Sequence, residues 1–165
     1  MKGEFHQICE ELNGLIADWE IKLSALPDRT VSRRKNSQNR SIRQIVGHMA
    51  DSASNNTHRV IHMQYQKSPL SFPDYANLGN NDKWIAIQNF QEENWDDLIR
   101  LWAAVNRHMV HLVGQVDDTK LNQAWISALN ERVTLREMIQ DFPRHFRLHI
   151  NEISALINQL TIEHD

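Results

Sequence analysis

Two histidines, His145 and His149, stand four residues apart in the segment 142–150 near the C-terminal end of the chain. In a helix, side chains at positions i and i+4 share one face, about 6 Å apart along the axis. The neighbouring apolar residues place both histidines on the stripe that would face the core. Buried imidazoles need partners, and a divalent metal ion suits this spacing. The pair is a candidate for metal binding, with hydrogen-bonded core histidines as the alternative.

Two more histidine pairs have helical spacing, His58 with His62 and His108 with His111. His58 stands among polar residues, and His108 follows Arg107 and lies off the predicted apolar stripe. We therefore interpret both pairs as solvated or hydrogen-bonded side chains rather than as metal ligands.

His48 lies far upstream, at the edge of the buried face of another predicted helix. A line of polar side chains continues from it along the same helix through Ser52, Asn55, Arg59 and His62. A polar line beside an apolar one indicates the wall of a cavity, and a solvated flank of the helix gives the same pattern. The sequence leaves these two interpretations open.

Apolar residues at helical spacing predict four amphipathic helices that would position these histidines. The first carries apolar residues from Phe5 to Leu23 and ends at Pro27. The other three begin at capping side chains, which are Ser41 with Gln44, Asn94 with Asp97, and Thr134 with Glu137. The apolar stripe of the last helix contains Pro143 and extends to Leu160.

Three connections separate the predicted helices, at residues 28–40, 66–80 and 117–132. A short helical turn is expected around Trp84 to Ile87, and the pairs Trp125-Ile126 and Ala128-Leu129 fit a short strand or turn. No longer strand pattern occurs. We therefore predict an all-α four-helix bundle with long connections and a short extra helix.

The composition limits the function. The chain has 165 residues and a net charge of −3, so we expect one domain, residues 1–165, without affinity for nucleic acid. We interpret the basic cluster within residues 29–40 as a solvated loop. The single cysteine, Cys9, excludes an intramolecular disulfide and fits a reducing compartment. Without a signal segment or a long apolar run, we expect a cytoplasmic protein with no membrane association.

Two segments resemble motifs of the DinB/YfiT-like superfamily of metalloenzymes. Residues 41–52, SIRQIVGHMADS, resemble the motif of its second helix, most closely in the YfiT-like branch, and residues 144–153, RHFRLHINEI, resemble that of its last helix. The resemblance implies a four-helix bundle that holds a divalent ion through one histidine of the second helix and two of the last. The matching positions are His48, His145 and His149. Relatives often carry a tryptophan where Asn39 and Arg40 stand here, a difference expected to alter the mouth of the site.

The implied ligand set determines the chemistry. Three neutral imidazoles leave at least one coordination position open, which is typical of catalytic zinc sites. The ion would lower the pKa of bound water towards about 7, or bind a thiol as thiolate. Nitrogen ligands suit zinc or nickel among other transition metals. We expect Asp51 and Glu152, each three residues after a ligand, to orient the imidazoles, with ordinary helix-surface charge as the alternative.

The resemblance implies an enzyme that acts on a small molecule, either a metal-dependent hydrolase or a transferase of a low-molecular-weight thiol such as bacillithiol. Asn55 and Arg59 are the candidates for substrate contacts. The alternative is a non-enzymatic helical bundle, stress-related or dimerising, that binds a metal or a small ligand. Trp19, Trp95 and Trp102 fit either the core or a subunit contact, and we expect a homodimer.

Overall fold

The computed structural model describes residues 3–159, which contain six helices. The helices are α1 His6–Ser24, α2 Asp28–Arg33, α3 Ile42–Tyr65, α4 Asn80–Gln88, α5 Trp95–Val113 and α6 Leu135–Asn158. The same residues contain three short strands, β1 Leu70–Ser71, β2 Ala124–Ile126 and β3 Arg132–Thr134, and one 3-10 turn, Asp118–Lys120. Leu160, predicted at the end of the last apolar stripe, lies outside the described residues.

The four long helices α1, α3, α5 and α6 form a four-helix bundle, as predicted. α1 packs between α5 and α6, and α3 packs on the opposite side between the same two helices. Their apolar stripes meet in one core that contains Ile16, Ile45, Trp19, Trp95 and Trp102, all of them buried. The three tryptophans therefore stabilise the bundle interior. Within residues 3–159, no helix is long and apolar enough to cross a lipid bilayer.

Hydrogen bonds confirm the predicted helix starts. The Ser41 hydroxyl accepts from the Gln44 main-chain N–H at 3.3 Å, and Gln44 Oε1 accepts from the Ser41 N–H at 2.9 Å. Thr134 and Glu137 form the same reciprocal capping box at the start of α6, and Asn94 caps α5. The two boxes fix where α3 and α6 begin, and these are the helices that carry the three candidate ligands.

The connection at residues 28–40 differs from the predicted solvated loop. Residues Asp28–Arg33 form α2, and Arg40 is buried, with its guanidinium 2.7 Å from the carboxylate of Asp82 in α4. Arg34 donates to the main-chain carbonyl of Leu156 in α6 at 2.9 Å. The solvated-loop interpretation was wrong for these two arginines because their partners stand 42 and 122 residues away along the chain.

Arg43, within the segment 41–52, connects three elements rather than the candidate site. Its buried guanidinium pairs with Asp28 of α2, donates to Ser32 Oγ at 2.9 Å and donates to the main-chain carbonyl of Glu93. Its Cζ also lies 5.6 Å from the ring centroid of Trp95. A buried arginine that is hydrogen-bonded in this way holds α2 and the start of α5 against α3.

The other two connections meet in a small sheet. β1 runs parallel to β2, with Leu70 opposite Trp125, and β2 runs antiparallel to β3, with Trp125 opposite Val133. Ala128 and Leu129 lie in the turn between β2 and β3. Strands of two or three residues are too short to show an alternating pattern, which is why the predicted all-α fold did not include this sheet.

α4 and the residues after it pack on α3 beside His48. α4 spans Asn80–Gln88 and is longer than the turn predicted around Trp84 to Ile87. The ring of Phe90 lies so close to the backbone of Gly47 that a Cβ atom there would overlap the ring. The absence of a side chain at Gly47 therefore sets the approach of this segment to α3.

Candidate metal centre

Three histidines meet between α3 and α6. One ring nitrogen of each of His48, His145 and His149 lies within 4.8 Å of the others. His145 Nε2 and His149 Nε2 are 3.1 Å apart, as the shared face of α6 requires. The ring centroid of His48 lies 4.8 Å from that of His149 and 5.8 Å from that of His145. The packing of α3 against α6 therefore adds the third imidazole to the pair on α6.

The separations of the nitrogens fit a divalent transition-metal ion. Nitrogens about 2.0–2.1 Å from one ion in a tetrahedral arrangement are about 3.3 Å apart, close to the 3.1 Å between His145 and His149. The spread of up to 4.8 Å across all three is wider than the roughly 3.3 Å that one ion requires, so side-chain movement would accompany the binding of an ion. His48 Nδ1 is buried without a hydrogen-bond partner among the described residues, which is rare for a buried polar atom unless a ligand satisfies it.

Of the two carboxylates expected to orient imidazoles, the structure brings one to a histidine. Glu152 Oε2 accepts a hydrogen bond from His149 Nδ1 at 2.8 Å. This bond assigns the proton to Nδ1 and leaves Nε2 unprotonated, facing His145 Nε2 at 3.1 Å. Asp51 instead accepts from the side-chain amide of Gln88, with its two oxygens 2.9 and 3.0 Å from Nε2. Within residues 3–159, its carboxylate receives no hydrogen bond from an imidazole.

Burial makes all three imidazoles difficult to protonate. Desolvation, helped by the neighbouring imidazoles, lowers the pKa of His48 to about 3. Desolvation and the proximity of His149 lower the pKa of His145 to about 4. Desolvation also lowers the pKa of His149, although the hydrogen bond to Glu152 opposes the shift. Neutral imidazole is the form that coordinates a metal, so the three side chains are in the coordinating form at neutral pH.

The other histidine pairs lie apart from this cluster. His58, His108 and His111 are exposed. His62 Nδ1 lies 2.7 Å from the hydroxyl of Tyr65 in a surface hydrogen bond. These side chains are solvated or hydrogen-bonded, in agreement with the interpretation from the sequence.

A cavity of about 890 Å³ opens beside the cluster and reaches His145. Arg59 and Asn56 line its wall, together with residues of the small sheet. Asn55, predicted to contact a substrate, is not part of this wall, since its side-chain amide donates to the main-chain carbonyl of Asp51 at 2.9 Å. Of the two residues predicted to contact a substrate, Arg59 lines the cavity and Asn55 does not. The neighbouring Asn56 lines the cavity instead.

Tyr75 and Trp125 also line the cavity, although the sequence assigned neither to the site. The Tyr75 ring is buried, lies 6.0 Å from that of His48, and has its pKa raised by burial to about 12. Trp125 on β2 lies against Arg59, with the Arg59 Cζ 4.2 Å from its ring centroid. Both residues belong to connections, where no helical period marks a buried face. The sequence offers one indication that these residues line a site, which is a large aromatic residue in an otherwise polar segment.

Comparison with known protein families shows to which family the chain belongs. The family model described as the DinB superfamily matches residues 11–153. The chain belongs to the DinB superfamily. The matched range contains both segments on which the resemblance rests and all three clustered histidines, and it covers most of the four-helix bundle.

This DinB-superfamily chain has the fold of YfiT from Bacillus subtilis, which is described as a probable metal-dependent hydrolase with an unusual four-helix bundle topology. The TM-score is 0.78 and the sequence identity 16%, over 98% of this chain and 92% of that one. At this identity, the likeness establishes the fold of the DinB-superfamily chain and not its activity. No curated protein matches the chain by sequence.

Proposed function

We propose that the chain is a metal-dependent enzyme that binds one divalent ion through His48, His145 and His149. The observation that carries this proposal is the convergence of three imidazole nitrogens, within 4.8 Å of one another, beside a cavity of about 890 Å³. Structural zinc sites usually have four protein ligands, whereas three ligands beside a cavity fit a catalytic site. Zinc and nickel accept nitrogen ligands and are the ions we expect.

The residues around the three ligands have separate roles in this proposal. Glu152 holds His149 in the tautomer with an unprotonated Nε2. The buried ring of Tyr75, 6.0 Å from the His48 ring, excludes water from one side of that imidazole. When bound, the ion supplies Lewis acidity and an open coordination position for water or a substrate atom.

Hydrolysis of a small molecule is the reaction that we propose first. YfiT, which shares the fold, is described as a probable metal-dependent hydrolase. The cavity of about 890 Å³ falls within the range of about 300–1,000 Å³ that is typical of small-molecule sites. Its position beside His145 lets a bound molecule extend from the three imidazoles towards Arg59 and the sheet.

Transfer of a low-molecular-weight thiol is the second reaction that such a site supports, because zinc binds thiolate readily. Assays with activated esters and amides, and with electrophiles in the presence of a thiol such as bacillithiol, separate the two. Turnover without thiol supports hydrolysis, and turnover that requires thiol supports transfer. Stable metal binding with neither activity supports a non-enzymatic role.

The test of the metal site is the metal content of the purified protein, measured by elemental analysis after incubation with zinc or nickel and removal of free ion. We expect about one ion per chain in the wild type. We expect His149→Ala to lose most of it, because two imidazoles form a much weaker site.

His108→Ala is the matched control, since His108 is an exposed histidine on α5 and lies outside the cluster. Its metal content should equal that of the wild type. Substoichiometric metal in the wild type that His149→Ala leaves unchanged would contradict the proposed site.

A further inference from the structure

Arg59 is a buried cation in the wall of the cavity. Only 7% of the residue is exposed. Its Cζ lies 4.2 Å from the ring centroid of Trp125 and 6.0 Å from that of Tyr75, so the guanidinium is held by aromatic faces. Among the described residues, its hydrogen bond goes to Asn56 Oδ1 at 3.2 Å. One neutral acceptor leaves most of its five donors without a protein partner.

Within residues 3–159, no carboxylate forms an ion pair with this guanidinium. Asp74, an acid that influences it electrostatically, accepts from the side chains of Asn77 and Asn80 at 3.0 Å each. Burial lowers the pKa of Arg59, as expected where desolvation outweighs nearby negative charge. Arginine is almost never fully buried without a partner, so this one requires an explanation.

None of the three acids that line the cavity, Glu131, Glu137 and Asp141, forms an ion pair with Arg59. Glu131 is exposed to solvent. Asp141 pairs with Arg144, and the Glu137 carboxylate accepts from the main chain and hydroxyl of Thr134 in the capping box of α6. These two carboxylates are therefore already engaged by groups near them in the chain. The unmatched positive charge faces the cavity.

We propose that Arg59 binds a carboxylate of the substrate in the cavity beside the three histidines, so that the enzyme acts on small carboxylic acids. The inference rests on the proposed metal-dependent function for the reacting end of that substrate. The binding of a carboxylate by Arg59 can be tested independently of the metal-dependent reaction. The guanidinium supplies a planar fork of N–H donors that matches a carboxylate, and Trp125 fixes the plane of the fork.

The charge of the cavity favours a carboxylate over a phosphate dianion. One buried guanidinium balances one negative charge. Glu131, Glu137 and Asp141 line the same cavity but are exposed, so water screens their charges. The buried guanidinium therefore supplies the single unscreened charge that a ligand meets. Arg132 is the other arginine of the wall, and it is exposed, so water screens its charge.

The test compares benzoate with benzamide, which have nearly the same shape and differ in charge. Isothermal titration calorimetry measures both on the chelator-treated, metal-free protein and on the metal-loaded protein. We expect benzoate to bind about 10–100-fold more tightly than benzamide, the range for a hydrogen bond to a charged group. The preference should persist without metal, because it depends on Arg59.

Three variants assign the preference to its source. Arg59→Met keeps an unbranched apolar chain between the two aromatic rings and should abolish the preference, while leaving the melting temperature unchanged or higher because an unpaired buried charge is removed. Arg59→Lys keeps the charge without the fork and should retain part of the preference. Arg132→Met, in the same wall, should keep the wild-type preference.

The results of these titrations decide whether Arg59 binds a carboxylate, independently of whether the three histidines bind a metal ion. Equal binding of the two probes, no saturable binding of benzoate, or a preference that survives Arg59→Met overturns the carboxylate site. A preference that disappears with the metal but not with Arg59 also overturns it, and shows that the ion binds the probe. An Arg59-dependent preference in a protein that takes up no metal supports the carboxylate site while the proposed metal function fails.

Discussion

Glu152 determines which nitrogen of His149 is available to an ion. Its carboxylate accepts from Nδ1 at 2.8 Å, and its side chain is 26% exposed. A carboxylate in this position fixes the ring orientation and makes the opposite nitrogen a better electron-pair donor. Glu152 therefore contributes to metal affinity in our proposal without touching the ion, and its effect can be measured separately from that of the ligands.

We expect Glu152→Gln to weaken metal binding by about 10–100-fold, because an amide is a poorer acceptor for the imidazole N–H. Competition with a chromophoric chelator measures the affinity. Glu92→Gln, at an exposed glutamate after α4, is the control and should bind as the wild type does. Equal affinities of the two variants would show that Glu152 does not orient His149.

The carboxylate of Asp51 is buried in the folded protein, where its negative charge is less stable than in water. Burial raises its pKa to about 6, above the ordinary value of 3.8, and the hydrogen bond from Gln88 opposes the shift only in part. Between these two values, the folded protein binds more protons than the unfolded chain. The contribution of Asp51 to stability therefore falls as the pH rises through this window, and the carboxylate is destabilising above about pH 6.

We expect Asp51→Asn to stabilise the metal-free protein by about 1–3 kcal/mol above pH 6, and by much less near pH 4. Urea unfolding at a series of pH values in the presence of chelator measures the difference in the free energy of unfolding. Asp18→Asn, at an exposed aspartate on α1, is the control. A stabilisation that stays constant from pH 4 to 7.5 would contradict a raised pKa of the Asp51 carboxyl.

Two helices, α3 and α6, supply the imidazoles and about half of the cavity wall, and the connections supply the other half. α3 and α6 begin at capping boxes, so the positions of their histidines along each helix are fixed from the first turn. The segment after α4 is fixed on α3 by the contact of Phe90 with Gly47, the residue before His48. The packing of this connection is therefore linked to the position of one candidate ligand.

We expect Gly47→Ala to destabilise the protein by about 1–3 kcal/mol, because the added Cβ overlaps the Phe90 ring and one of the two must move. This range is the net loss, after subtraction of a gain in helix propensity of about 1 kcal/mol. Gly14→Ala on α1 is the matched control, since a Cβ there meets nothing within 4 Å. Urea unfolding compares the two variants, and equal stabilities would exclude the close contact.

Periodicity and capping residues predicted the bundle because both act within a few residues of the chain. Ser41 and Thr134 marked the starts of α3 and α6, and the spacing of His145 and His149 predicted their approach. The approach of His48 to them required the family resemblance, since no local rule brings two helices together. The partner of Arg40 and the pairing of the strands depend on contacts between distant segments and were missed. The expected homodimer stays a prediction.

An ion held by α3 and α6 would connect two helices of the bundle at one point. An ion that binds only the folded state stabilises it by about 2.7 kcal/mol at a concentration one hundred times its Kd. For a domain of this size, about 1 kcal/mol shifts the melting temperature by about 2–4 °C.

We therefore expect saturating zinc or nickel to raise the melting temperature by about 5–10 °C over that of the chelated protein. Differential scanning calorimetry measures the shift. His145→Ala should remove most of the shift, because one of three ligands is lost. A wild-type protein that melts at the same temperature with and without metal would contradict binding at this site.

The passage of β3 directly into the cap of α6 has a consequence for how such proteins diversify. Trp125, which holds Arg59, lies in the hairpin that ends at Thr134, while His145 and His149 follow on a rigid helix. Replacing the hairpin turn at residues 127–131, three of which line the cavity, would reshape that part of its wall and leave the imidazoles in position. In the proposed enzyme, exchange of one surface turn would therefore change which substrates fit, while the three imidazoles keep their positions.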